Sequence, residues 1–365
     1  MQTSDKEFPA LPGQSEPPRS SHGQPAGSEY AELSRLVREA GMLRRRPRYY
    51  TWNILVTVGA LAAGWAVFVV VGKSWWTLAV AALLAVLFTQ VGFLGHDAGH
   101  RQIFGSRRSS YISGILLGNL GIGLSFGWWV SKHNRHHAHP NTEGADPDIA
   151  GGALIFSASQ LNSRRGIVRL VRRYQAYLFF PMLLLEGVNL HVASVSALIA
   201  RPPSPRRLTE AALLAAHLAG YTALVLVVLG PGWKAAAFVI VQQGLFGLYL
   251  GCSFAPNHKG MPILTATDRS DFLRRQVLTS RNIRGSWLTD FALGGLNYQI
   301  EHHLFPSAPR PSLRHCQPLI REFCEQHGLA YCQTSLVGSF ASVLGHLDSV
   351  GRPGNAVRPA TVSAP

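Results

Sequence analysis

Residues 51–100, TWNILVTVGALAAGWAVFVVVGKSWWTLAVAALLAVLFTQVGFLGHDAGH, settle the class of fold. They contain two apolar stretches, Trp52 to Gly72 and Trp75 to Gly95. Each has about the twenty residues that an α-helix needs to cross the hydrocarbon core of a bilayer. Only Lys73 and Ser74 separate them, so the chain turns straight back and both outer ends fall on one side of the membrane. Arg44, Arg45, Arg46 and Arg48 precede the first stretch, and Arg101, Arg107 and Arg108 follow the second. Positive residues mark the cytoplasmic flank, so both ends are expected there, with Trp75 and Trp76 in the opposite aromatic belt.

Further along, Leu208 to Gly230 and Trp233 to Ala255 form a second such pair, joined by the tight turn Gly230-Pro-Gly-Trp233. The basic, proline-rich segment Arg201-Pro-Pro-Ser-Pro-Arg-Arg207 reads as cytoplasmic. A third apolar stretch, Tyr174 to Ala200, carries Glu186, Asn189 and His191 and is interrupted by Pro181. It reads as an interfacial or partly buried cytoplasmic helix, because a further crossing would leave the basic segment outside. The glycine-rich run Ser109 to Trp129 reads as a shallow or re-entrant piece. The expectation is an all-α integral membrane protein of an inner or plasma membrane. Its four transmembrane helices, over about 52–72, 75–95, 208–230 and 233–255, form two hairpins beneath a cytoplasmic helical cap. The membrane domain is expected over 29–345, with disordered polar tails over 1–28 and 346–365 and both termini cytoplasmic.

Composition agrees with this reading. The 365 residues are 47% apolar, and 34 basic against 19 acidic residues give a formal charge of +15. The arginines sit beside the apolar runs, a membrane-flank pattern rather than a nucleic-acid one, so no nucleic-acid partner is expected. The four cysteines, Cys252, Cys316, Cys324 and Cys332, form no C-x-x-C pair, which argues against a thiolate metal site.

Histidine is the unusual residue, because seven of the 15 fall within three five-residue windows. His96-Asp-Ala-Gly-His100 closes the second span, and i, i+4 spacing puts both imidazoles on one helical face. His133-Asn-Arg-His136-His137 and Gln299-Ile-Glu-His302-His303 repeat the arrangement, with glutamine leading the third. Three separate helical faces, each with two or three side-chain nitrogens, suit a dinuclear metal site wrapped from several directions. Imidazole serves iron, zinc, copper and nickel alike, so ligand type leaves the metal open.

The order H-D-x-x-H, H-N-x-H-H and Q-x-E-H-H, with four spans between and around the boxes, resembles the membrane fatty acyl desaturase family over roughly residues 45 to 335. Ala138-His-Pro-Asn141 with Asp146-Pro-Asp148, Phe254-Ala-Pro-Asn-His-Lys-Gly-Met261, and Leu296-Asn-Tyr-Gln-Ile-Glu-His-His-Leu-Phe-Pro306 are similar to its acyl-lipid and front-end branch. The resemblance implies two iron ions held by His96, His100, His133, His136, His137, His302 and His303, with His258 completing the set after the fourth span. Gln299 occupies a position where many relatives have histidine, as a ligand or as an orienting neighbour. Asp97, Glu143, Asp146, Asp148 and Glu301 stand close enough in sequence to accept the second N–H of a ligating imidazole, and Asn257 adjoins His258. His139, His191, His217, His315, His327 and His346 read as structural or surface residues.

The resemblance further implies oxygen-dependent insertion of a cis double bond into a fatty acyl chain carried by CoA, a carrier protein or a glycerolipid. Trp128, Trp129 and Phe93 are candidate walls of an apolar tunnel for that chain. With no His-Pro-Gly-Gly motif, neither bound haem nor flavin is expected, and electrons arrive from a ferredoxin-type donor and its reductase. Arg107, Arg108, Arg164, Arg165, Arg172 and Arg173 offer that donor a basic surface, although positive-inside topology explains them as well. A hydroxylase or ketolase on the same scaffold is the nearest alternative. A zinc membrane hydrolase is disfavoured by the absence of H-E-x-x-H, and a transporter by how few polar residues the spans carry, Trp65, Gln242 and Gln243 being mild exceptions.

Overall fold

The computed structural model describes residues 27–161, 166–200, 202–265 and 267–352. Among the described residues, four helices are long and apolar enough to cross a membrane: α2 (Pro47–Val71), α3 (Thr77–Gly99), α9 (Pro205–Leu229) and α10 (Trp233–His258). In lipid every backbone N–H and C=O must be paired within the segment, which is why these apolar runs become helices and not strands. α3 is the central element, packed against both α2 and α10 and buried along most of its length. α2 instead turns Trp52, Leu55 and Val70 outward, a lipid-facing surface. The two hairpin tips lie side by side: the Trp75 and Trp233 rings are 4.6 Å apart, and Lys234 Nζ donates to the Lys73 carbonyl at 2.7 Å.

Two further segments fold back sharply. α4 (Arg107–Ile115) continues into a π-helical turn, Leu116–Gly121, and then meets α5 (Phe126–Ala138) at 113°. The corner uses the positive φ of Gly123 and the side chain of Ser125, whose Oγ caps α5 by accepting from Trp128 N. After the short α6 (Ile167–Arg173), α7 (Gln175–Leu183) and α8 (Glu186–Ile199) meet at 70°. α7 runs through Pro181, and the bend falls after it, between Leu183 and Glu186.

The cap gathers α1 (Gly27–Glu39), α11 (Phe272–Leu278), α12 (Trp287–Ala292), α13 (Gln299–Leu304) and α14 (Arg310–Gln326). Leu33, Val37, Leu273, Val277, Ile300, Leu304, Ile320 and Phe323 form its apolar core. A two-residue parallel pair, Asn282–Ile283 with Gln333–Thr334, ties its ends together. The last helix, α15 (Leu336–Gly351), packs on α7 and α10.

That helix corrects the expected boundary at 346. Leu347 and Gly351 are buried, and the Leu347 carbonyl accepts from Gln175 Nε2 at 2.8 Å, so packing against α7 carries the fold to the end of α15. Of the tails expected over 1–28 and 346–365, residues 1–26 and 353–365 lie outside the described residues, as do Arg164 and Arg165.

Candidate metal centre

Four chain segments deliver imidazoles to one place. α3 ends on His96 and His100, α5 carries His133, His136 and His137 along its last turns, α10 ends on His258, and α13 presents His302 and His303. α13 is seated by the positive-φ turn at Gly294 and Gly295 and by its Ile300 N–H, which donates to Asn282 Oδ1 at 2.9 Å. The ligand atoms of His96, His100, His133 and His302 all lie within 4.8 Å of one another, and so do those of His136, His258 and His303. His137 stands between the groups: its Nε2 is 3.0 Å from His133 Nε2, and its ring stacks on His303 with centroids 4.2 Å apart.

In the second group each Nδ1 faces an acceptor. His136 Nδ1 meets the Asp146 carboxylate at 3.0 Å, His258 Nδ1 the Thr279 carbonyl at 3.0 Å, and His303 Nδ1 the Gln276 Oε1 at 2.9 Å. Each of these oxygens accepts, so each imidazole donates from Nδ1 and turns Nε2 inward, where that of His303 is buried without a partner and that of His258 faces the Gln299 amide nitrogen at 2.8 Å. The His136 and His258 Nε2 atoms are 3.3 Å apart, close enough for one cation to be shared between them. The first group gives a second sign, since His96 Nε2 and both ring nitrogens of His302 are buried without any partner. Burial and neighbouring imidazoles push the pKa values of His302 and His303 well below the ordinary 6.5, which keeps both neutral and ready to bind. These residues fit a metal site.

The family model for fatty acid desaturase matches residues 73–335. The chain belongs to this family. Among curated relatives, an acyl-lipid (9-3)-desaturase of Physcomitrium patens is 31% identical over 88% of this chain and 62% of its own length. A Delta(8)-fatty-acid desaturase of Helianthus annuus is 29% identical over 87% and 71%, and the Delta(6)-fatty-acid desaturase fat-3 of Caenorhabditis elegans 29% over 88% and 74%. The chain thus spans about three fifths to three quarters of the lengths of these desaturases. With its four apolar helices, it is a membrane protein of the desaturase family.

Around the imidazoles of this desaturase scaffold, the carboxylates divide. Asp146 accepts from His136 Nδ1 and is itself fixed by the N–H groups of Asn141 and Asp148, both at 2.8 Å. Asp97 lies 3.4 Å from His96 Nδ1 and pairs with Arg310 at 2.7 Å. Asp148 is 3.6 Å from His136 Nδ1 and pairs with Lys132 at 2.5 Å. Glu301 departs from expectation: its carboxylate accepts from Asn282 Nδ2 and the Tyr331 hydroxyl, and it holds no imidazole. The reason is helical geometry, since one residue advances the helix by about 100° and turns Glu301 away from the face that carries His302 and His303. Glu143 accepts from Ser157 instead, also away from the imidazoles.

Asn257 orients Gln299 rather than a histidine, with Nδ2 donating to Gln299 Oε1 at 3.0 Å and to the Leu296 carbonyl at 2.7 Å. Gln299 therefore presents its amide nitrogen, 2.8 Å from His258 Nε2. Trp129 stacks on His133 with centroids 4.5 Å apart, whereas Trp128 lines a different cavity of about 170 Å³ between α5, α8 and α9. Phe93 is buried against Tyr249 and beneath Arg310. His139 lies outside the cluster, beside Arg275. Sequence reading missed Gln276, the Thr279 carbonyl and Arg310, none of which stands in a recognisable motif.

Proposed function

We propose that the protein is a fatty acyl desaturase that removes two hydrogens from adjacent methylenes of an acyl chain to leave a cis double bond. The overall balance consumes one O2, two electrons and two protons and releases two waters. The supporting observation is the convergence of buried imidazole nitrogens at one end of the apolar helices. In this reading two iron ions supply the reductive activation of dioxygen. His96, His100, His133 and His302 would hold one ion, and His136, His258 and His303 the other, with His137 adjoining both groups. Asp146, Gln276 and the Thr279 carbonyl hold the Nδ1 protons and so keep Nε2 free to bind. Gln299 Nε2 stands 2.8 Å from His258 Nε2, so its amide would have to release that nitrogen for His258 to bind, and direct ligation by Gln299 would require both its amide and that of Asn257 to turn over.

Trp129 covers the imidazoles with an apolar face and excludes water beside the reacting carbons. The acyl chain has no polar handle at those carbons, so an apolar channel must set the position of the double bond. The Physcomitrium patens relative is named an acyl-lipid desaturase, which favours a lipid-linked chain over CoA or a carrier protein. The arginines flanking α2, α3 and α9 support a cytoplasmic metal face, which a ferredoxin-type donor would reach. Expression with a ferredoxin system, followed by mass spectrometry that locates double bonds, tests this reading. A new cis-unsaturated acid, lost in His302→Ala, is expected. A hydroxylated product would move the protein to the hydroxylases, and unchanged lipids would sink the proposal.

A further inference from the structure

Glu210 stands about one and a half turns into the apolar helix α9 and is only 6% exposed. A carboxylate in such a place is costly unless it is held by donors, and it marks function by default. Among the described residues it forms no ion pair. It accepts instead from Ser125 Oγ at 3.1 Å, the Gly127 N–H at 3.1 Å and the Tyr111 hydroxyl at 3.2 Å. Ser125 is the cap of α5 and Gly127 its second residue. Asn119 closes a parallel bridge, donating to the Glu210 carbonyl and accepting from Phe126 N, both at 3.0 Å. The first three N–H groups of α5 are thereby tied down, one by Asn119, one by Glu210, and one by the Ser125 hydroxyl that itself donates to Glu210. Gly127 allows the approach, because a Cβ there would sit 2.5 Å from Glu210 Oε1.

We infer that Glu210 is a positioning residue for the metal centre: its carboxylate clamps the N-terminus of α5 to α9 and fixes the angle at which His133, His136 and His137 enter the site. The inference rests on the reading of those imidazoles as metal ligands. At a rise of about 1.5 Å per residue, His137 lies about 15 Å along the helix from Gly127, so a tilt of about 4° at the base moves it by about 1 Å. Metal–ligand distances tolerate only about 0.2 Å. A negative group at the start of the helix also opposes the positive end of its dipole, so the clamp and the helix field act together.

The test uses the full chain in detergent, stripped of metal and titrated with cobalt(II) alone, with affinity and site geometry read from the visible spectrum. Glu210→Ala is expected to weaken binding by about 10- to 100-fold and to alter the spectrum, with helical content and gel-filtration profile unchanged. Glu210→Gln, whose amide oxygen still accepts from Gly127 N–H, is expected to restore binding to within about 5-fold of the parent. Thr209→Ala, an exposed neighbour on α9, leaves both readouts unchanged. Parental affinity and spectrum in Glu210→Ala overturn the proposal while leaving the ligand reading intact. If that variant fails to fold, Ser125→Ala and Tyr111→Phe decide, since each removes one donor to the carboxylate: weaker binding supports the clamp, and parental binding in both overturns it. A parent chain that takes up no cobalt removes the ligand reading, and this inference with it.

Discussion

Removal of the Arg310 guanidinium is the sharpest perturbation of the framework behind the imidazoles. Arg310 Nη2 lies 2.7 Å from Asp97 Oδ2, and the two side chains are 9% and 2% exposed. Asp97 immediately follows His96 and faces its Nδ1. Arg310→Met keeps an apolar stem over Phe93 but strands the carboxylate in a buried place. Breaking a buried pair from one side costs about 3–5 kcal/mol, because the remaining charge loses its partner without regaining water. In a chain of this size each kcal/mol lowers the thermal midpoint by about 2 °C, so a fall of roughly 6–10 °C is expected for metal-free protein in detergent. Changing Asp97 to Asn in the same chain removes the stranded charge and should recover most of the loss. The assay is thermal unfolding of the parent, both single variants and the double variant as a cycle. A single-variant fall under about 2 °C, or a double variant no better than Arg310→Met, would refute the reasoning.

Three more outcomes follow from the same geometry. The depressed pKa values of His302 and His303 mean that the unfolded chain takes up protons which the folded chain refuses, so metal-free stability is full above the ordinary histidine pKa of 6.5 and declines as pH falls through it. Unfolding midpoints between pH 7.5 and 5.5 measure this, and a midpoint that rises on acidification would contradict it. Gln276→Leu leaves the His303 Nδ1–H without its acceptor and should weaken metal binding by about 10- to 100-fold with little change in helical content, as read by competition with a chelating dye. A cysteine placed at Ser204, just before α9, should react with a membrane-impermeant thiol reagent only in opened cells; labelling in intact cells would invert the topology.

The spans were legible because lipid imposes a length and an apolar composition that hydropathy reads directly. Their ends were less so: α3 runs to Gly99 and α10 to His258, since the helices continue past the apolar run to carry their histidines into the cap. The boxes were legible through i, i+3 and i, i+4 spacing, which places imidazoles on one face before any tertiary fold is known. What orients those imidazoles was not. Gln276 and Thr279 reach the site from α11 and its end, and Arg310 from the start of α14, through contacts that depend on how the cap closes. Glu301 shows the reverse error, because nearness in sequence on a helix says nothing of which way a side chain faces. Glu210 stands within the apolar stretch Leu208 to Gly230, yet sequence reading passed over it, and its meaning came only from the α5 terminus packed against it. The end of α15 was hidden because its burial depends on α7, far away in the chain.

Metal analysis of the purified parent chain and of His302→Ala, by elemental mass spectrometry with Mössbauer spectroscopy of iron-57-labelled protein, tests the central claim most directly. About two iron ions per chain in the parent, in a coupled pair that is lost or halved in the variant, is the result expected. A single zinc ion per chain, or iron retained in full without His302, would contradict the account.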